Sequence, residues 1–360
     1  MKILVLCESY SSLGDVYRMA WAHTRNKQYF DSGHQVDVLN FNAVKSYIYD
    51  SIQVLVEKDA VKNIDKYDII VSHAPNLRHH LPFLFRFRNK KTAFFFHGHE
   101  VLYEVKDYPE PYPYMTKSFG YRVLKNIYDY IKIKSLKFLI HGYKKNSSHL
   151  VFVSEWMKRQ YEKNLGVSLT KNQYSVIHNP VWNDFINRDF KVAVGPDRRK
   201  KIVTLRKLDD SKYSVDLVVR LARSNPSVDF FIYGRGRYFE YHDKPSNVIV
   251  KQELIAQAEL TDFFNQFDVA LLPTRYDAQG VLACEVASFG MPLVTSDIEV
   301  AREMLEGFDN VGFIDNEDPE SFSLNHFFES IKPSGKKLVK FSPEVTVGEE
   351  LRVFGEFVTK

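Results

Sequence analysis

In the stretch RYDAQGVLACE (275–285), two acids, Asp277 and Glu285, stand eight positions apart on either side of Gly280. The residues before it, FDVALLPT (267–274), read as a short, doubly buried strand closed by Pro273. Those after it, VLACEVASFG, place apolar residues at helical spacing and stop at Gly290 and Pro292. Strand, turn and helix in that order leave the first helical N–H groups unpaired and bring the positive end of the helix dipole to the turn, which suits a phosphate. Gly280, Val281 and Leu282 supply those N–H groups. Carboxylates accept hydrogen bonds from neighbouring hydroxyls. Glu285, one turn into the helix, is thus placed for a ribose, and Asp277, ahead of the glycine, for a sugar on the other side of a diphosphate.

Two more patches fall at strand ends. In LRKLDDSKYSVDL (205–217), Arg206 ends a strand and Lys212 precedes the next helix, so both cations can converge on one anion, the arginine through two parallel hydrogen bonds. In YGRG (233–236), Gly234 lets backbone approach a ligand. Earlier, TAFFFHGHE (92–100) ends an apolar strand on His97, followed by Gly98, His99 and Glu100. Alone, each has a plainer reading: cation pairs are mostly solvated surface, acids near a helix start favour its dipole, and a strand-ending histidine serves structural hydrogen bonds as readily as chemistry.

The elements that must hold these residues alternate. KILVLC is a strand, SYSSLGD a turn, VYRMAWAHTRNKQYFDSG a helix up to Gly33, and HQVDVLNF, YDIIVSHAP and TAFFFHGHE are strands. A helical stretch near 120–145 follows, then HLVFVSEWMKRQYEK, where Ser154 can cap a helix. After the polar stretch 188–201 a second series begins with KIVTLR and includes LTDFFNQF, a helix with Thr261 as its expected cap. FSPEVTVGEELRVFGEFV reads as a final helix, capped by Ser342 with Pro343 in its first turn. Strands alternating with helices imply mostly parallel sheets covered on both faces. The expectation is α/β: two doubly wound Rossmann-like domains facing across a cleft, residues 1–185 and 186–340, with the helix 341–360 packing back on the first.

Composition narrows the class. With 44% hydrophobic and 14% aromatic residues, the 360-residue chain is packed and globular, with room for two domains. Two cysteines, Cys7 and Cys284, are too few for a disulfide scaffold and fit a reducing cytoplasm. No apolar run approaches the ~18 residues of a membrane span, and Glu8 cuts ILVLC short of a signal peptide. The expected location is cytoplasmic, with association at the inner face of the cell membrane. Residues 1–190 hold 27 Lys+Arg against 18 Asp+Glu, the remainder 22 against 27. The basic excess, with Arg86, Arg88, Lys90, Lys91, Lys132, Lys134 and Lys137 among aromatics, points to an anionic membrane face, or more plainly to solvated helix faces. No nucleic-acid-binding signature accompanies it.

Taken together, the motifs resemble the retaining family 4 glycosyltransferases of the GT-B fold (glycosyl transferases group 1), whose signature E-G-F-G-x-x-x-x-E stands here as D277-A-Q-G-V-L-A-C-E285. The resemblance takes in Arg206, Leu208, Lys212, Tyr213 and Asp216, the GRG turn, FVSEWMK (152–158), IHNPV (177–181) and HGHE. It implies a hexosyltransferase of polysaccharide biosynthesis that takes a nucleotide-sugar donor, UDP- or GDP-linked, and a glycan or lipid-linked acceptor. Arg206 and Lys212 would hold the diphosphate with Gly280, Val281 and Leu282, Glu285 the ribose, and Asp277 with Gln279 the donor sugar. His97 would lie beside the reacting sugar, with Gly14, Gly98 and Gly234 allowing close approach. No cofactor or metal is implied; no D-x-D sequence or ligand-spaced His/Cys cluster occurs. Asp for the first Glu shortens that arm by a methylene, Gln279 replaces an aromatic, and SSLGD lacks the usual paired glycines. A non-catalytic sugar-nucleotide-binding subunit and a nucleotide-sugar epimerase are the alternatives.

Overall fold

The computed structural model describes residues 1–13, 19–144, 147–191, 198–334 and 338–359. Gly14 lies outside them. The chain divides into one unit made of Met1–Glu104, Val123–Pro180 and Pro343–Lys360, and another of Val105–Arg122 and Val181–Ser342.

In the first unit eight strands form one sheet: β1 (Lys2–Cys7), β2 (Gln35–Asn40), β3 (Tyr47–Tyr49), β4 (Ile52–Leu55), β5 (Ile69–His73), β6 (Thr92–Phe96), β7 (Ser148–Phe152) and β8 (Tyr174–Val176). Their order is β3-β4-β2-β1-β5-β6-β7-β8, parallel except for the β3–β4 pair. Ile3–Cys7 and all of β5 and β6 are buried, as continuous apolar runs in a sheet covered on both faces should be. Strand order reverses between β1 and β5, so their carboxyl ends frame the crevice where such sheets take ligands. The last helix, Pro343–Thr359, sends Val347, Val353, Phe354 and Phe357 into the same core as Ile3, Val36 and Phe95. Its Glu350 is fully buried, paired with Arg25 at 2.8 Å and accepting the Tyr29 hydroxyl.

In the second unit six parallel strands run in the order β11-β10-β9-β12-β13-β14: β9 (Lys201–Leu205), β10 (Asp229–Tyr233), β11 (Val248–Lys251), β12 (Val269–Leu272), β13 (Leu293–Ser296) and β14 (Val311–Ile314). Order reverses here between β9 and β12. Those are the strands that precede Arg206 and the Asp277 turn. Residues 105–122 lie within the stretch that sequence reading keeps with the first half. They pack with the second unit, where the Tyr112 hydroxyl donates to Asp216 at 2.8 Å and the Tyr114 hydroxyl to Asp209 at 3.0 Å.

Two expectations need correction. Thr261 is not a cap: the helix is Leu260–Phe264, with Thr261 inside it, where its hydroxyl accepts from Arg188. The basic residues of the first half are also not one solvated set. Lys132 is buried, its ammonium bonded to the carbonyls of His99 (2.6 Å) and Leu102 (2.9 Å) and to Asp129 (2.7 Å). Lys137 caps the helix Glu155–Leu165 through the Leu165 and Gly166 carbonyls, Lys91 donates to the Phe357 carbonyl, and Lys90 pairs with Asp65. Long lysine arms reach buried acceptors more readily than sequence spacing suggests. Arg86, Arg88 and Lys134 remain exposed. Ser154 does cap its helix, accepting the Met157 N–H at 3.0 Å.

Candidate active site

At the switch point of the second unit, β9 delivers Arg206 and β12 delivers the loop 273–280. Arg206 is held from three sides. Its Nη2 reaches the Leu272 carbonyl at 3.4 Å, its Nη1 the Leu205 carbonyl at 3.3 Å, and its guanidinium lies 5.2 Å from the centre of the Tyr213 ring. The Lys212 ammonium lies 4.8 Å from the same ring, so one aromatic side chain gathers the two cations. Burial pulls the Arg206 pKa down, and the neighbouring Tyr213 and Asp277 pull it back up. Its Nε is buried and has no hydrogen-bond partner among the described residues. A partly buried guanidinium with one buried, unused donor has the chemistry of a site for an anion.

Gly234 contributes in a way sequence alone did not show. Its φ is +148°, and a Cβ there would stand 1.7 Å from the Arg206 carbonyl oxygen. The space left by this glycine is filled by the backbone of Arg206, so the turn seats the cation. The Asp277 loop is equally constrained. Asp277 accepts the Ala278 N–H at 2.8 Å and the Gln279 N–H at 3.4 Å, and Gly280, at φ +72°, turns the chain into the helix Val281–Phe289. The N–H groups of Ala283 and Cys284 bond the Gly280 carbonyl, which leaves those of Gly280, Val281 and Leu282 ahead of the first helical bond. Arg206, Thr274, Asp277, Gln279 and Gly280 line one small pocket. Lys212, Val281, Leu282 and Glu285 are not on that lining. Glu285 is buried, accepts the Trp182 N–H at 3.2 Å, and has its pKa pushed up to about 7 by burial.

At the switch point of the first unit the chemistry is different. His97 follows β6 and is half-buried, its Nε2 3.2 Å from His73 Nδ1 and its ring 4.5 Å from that of Trp21. Burial, then the Arg25 charge, hold both imidazoles well below their usual pKa, so both are neutral at physiological pH. Glu100 is structural. Buried at the turn, it accepts the N–H groups of His97 (3.2 Å) and Gly98 (2.6 Å), with Gly98 at φ +144°.

Several residues beside these were not singled out from sequence. Glu8 directly follows β1 and accepts from Asn76 (2.8 Å) and His79 (2.9 Å). These bonds outweigh burial and hold its pKa below the usual carboxylate range. Its position after the first strand of a doubly wound sheet was the available signal. In the second unit Arg275 clamps Asp216 with bonds of 2.9 and 2.5 Å, which ties the β12 loop to the helix after Lys212. Tyr108 packs on Tyr276 next to Asp277, with ring centres 4.6 Å apart. Nothing in the spacing of 105–122 announced that segment.

The α/β architecture, with two parallel-sheet Rossmann-like halves, is that of the GT-B glycosyltransferase structures. A glycosyltransferase from Rickettsia africae superposes with a TM-score of 0.68 at 14% identity, covering 100% of this chain and 99% of its own. HepE from Anabaena, solved with UDP and glucose, gives 0.65 at 13% over 99% and 100% of the two chains. Sucrose-phosphate synthase from Thermosynechococcus elongatus gives 0.62 at 12% over 100% and 94%. Residues 200–325 match the family model described as Glycosyl transferases group 1, a stretch that contains Arg206, Lys212, Asp277 and Glu285. No curated protein matches the chain by sequence.

Proposed function

We propose that the chain is a metal-independent, retaining glycosyltransferase of family 4, moving a sugar from a UDP- or GDP-linked donor to a glycan, lipid-linked or cell-surface polysaccharide acceptor at an anionic membrane face. The observation that carries this reading is the Arg206 guanidinium, seated by Gly234 with a buried unused donor, lining one pocket with Asp277 and the glycine that starts a helix. The family match over 200–325 supports it, as does the similarity to HepE, whose structure holds UDP and glucose.

In the reaction the bond from the anomeric carbon to the diphosphate oxygen breaks and its electron pair stays on the diphosphate. Arg206, Lys212 and the helix N–H groups stabilise the charge that grows there, more in the transition state than in the ground state. The acceptor oxygen bonds to the anomeric carbon on the face that the diphosphate leaves, and its proton passes to a leaving phosphate oxygen. Asp277 binds donor hydroxyls and Glu285 the ribose. His97, neutral, donates or accepts one hydrogen bond at the reacting sugar. Incubation with UDP- and GDP-sugars tests this: slow release of UDP or GDP with retained anomeric configuration, undiminished by EDTA, is expected. Formation of an epimer, or binding without turnover, would replace the reading with an epimerase or a binding subunit.

A further inference from the structure

The helix Phe119–His141 is inside out. Turned inward are Ile133, Leu136 and Leu139 together with the ion pair Asp129–Lys132, the carboxylate fully buried. Turned outward are Leu124, Ile127, Ile131 and Phe138, each at least half exposed, at the three- and four-residue spacing of a single helix face, interrupted by Lys134. The segment after β5 extends this stripe, since exposed Phe85 stacks on Phe138 with ring centres 6.4 Å apart. Isolated exposed apolar residues need no explanation, but a contiguous row of them marks a surface that something covers.

The charges select what covers it. Asp129 is the only acid in the helix and it is buried, so the outward face carries no carboxylate. Among the described residues, the exposed charges on the outward face itself and on the segment beside it are Lys134, Arg86 and Arg88, with Arg88 5.0 Å from the Phe85 ring centre. The exposed acids nearby, Glu104, Glu110 and Asp65, are each paired, with Lys125, Arg122 and Lys90. A second copy docked face to face would set Lys134, Arg86 and Arg88 against their own counterparts, with no carboxylate on the helix face to offset them. Tyr128 and Tyr130 flank the stripe, half exposed, with ammonium groups over both rings (Lys125 at 4.8 Å, Lys134 at 5.4 Å). Rings of that amphipathic kind settle at a lipid headgroup boundary. The helix is about 35 Å long, and no helix among the described residues is long and apolar enough to cross a bilayer. We infer that the outward face of Phe119–His141, with Phe85, Arg86 and Arg88, lies in the plane of an anionic bilayer, its apolar row in the acyl boundary and its cations at the headgroups. This deepens the acceptor half of the proposed function and rests on it only for what the bilayer carries.

Flotation of the full chain with vesicles of phosphatidylglycerol, or of phosphatidylcholine alone, tests the surface. Binding to the anionic vesicles at least tenfold tighter than to the neutral ones is expected. The variant Ile127→Ser/Ile131→Ser/Phe138→Ser should lose at least tenfold, and the variant Arg86→Gln/Arg88→Gln/Lys134→Gln should lose the preference for anionic lipid. Both sets of side chains are outside the core, so thermal unfolding and nucleoside-diphosphate affinity should match the parent. Absence of binding to either vesicle overturns the inference, as does a dimer in sedimentation equilibrium that the serine variant dissolves. If the parent floats but binds no nucleotide, the transferase reading fails while the surface stands.

Discussion

The two sheets end in opposite chemistry. At the carboxyl ends of the first, burial and the Arg25 charge hold His73 and His97 neutral among aromatic rings. At the same place in the second, Arg206 and Lys212 gather at Tyr213 beside the start of a helix. One fold, used twice, thus offers neutral imidazoles and one carboxylate, Glu8, at the first sheet and a pair of cations suited to an anion at the second. Local charge makes the difference, since both lie at equivalent switch points of strand order.

The largest effect is expected where the neutral end is braced. Arg25→Ala would leave Glu350 buried and unpaired, a loss of about 3–5 kcal/mol, measured by denaturant unfolding. Replacing both partners with methionine should cost far less. An Arg25→Ala protein as stable as the parent would mean the last helix is held by its apolar contacts alone.

At the positive end the counterpart is Glu285. Its carboxyl keeps its proton up to about 7 in the fold, against about 4.3 in an unfolded chain. Over that interval the folded protein binds more protons than the unfolded one, so stability falls as pH rises, by roughly 3 kcal/mol once pH is above 7. Glu285→Gln keeps an oxygen for the Trp182 N–H. It should match the parent near pH 4, exceed it by up to roughly 3 kcal/mol at pH 8, and bind nucleotide less well. Equal stability at pH 8 would show that the acid carries no burial cost.

Smaller effects sharpen the contrast between the two ends. Lys212→Ala should weaken nucleoside-diphosphate binding by about 1.5–3 kcal/mol, the range of a charge-assisted hydrogen bond, read by calorimetry. His97→Ala, on the neutral side, should abolish turnover while leaving that affinity nearly unchanged. With His97 present, kcat should show no step near pH 6.5 from an imidazole that is already neutral. A step near pH 6.5 in the parent would mean that an imidazole at this end titrates in the normal range.

Much of this was legible in the sequence because it is local. Buried strands announced themselves as apolar runs, Gly280 and Gly290 bracketed a helix, and Arg206 and Asp277 came at strand ends. Contacts between distant segments were not legible. The packing of Tyr112 on Asp216 joins positions about a hundred residues apart, and the Arg25–Glu350 pair spans nearly the whole chain. The basic helix misled for the same reason: Lys132 and Lys137 differ from Lys134 only in which carbonyls the fold brings within reach. Gly234 was noticed for its freedom, but only the fold shows that the neighbour it admits is the Arg206 backbone.

The central claim is that the second sheet ends in a diphosphate site built on Arg206, and titration calorimetry with UDP and GDP on the parent and on Arg206→Met tests it most directly. The parent should bind at least one of the two, and the variant, with similar side-chain volume and no donor, should bind it at least tenfold more weakly at unchanged thermal stability. Equal affinity in parent and variant would contradict the account.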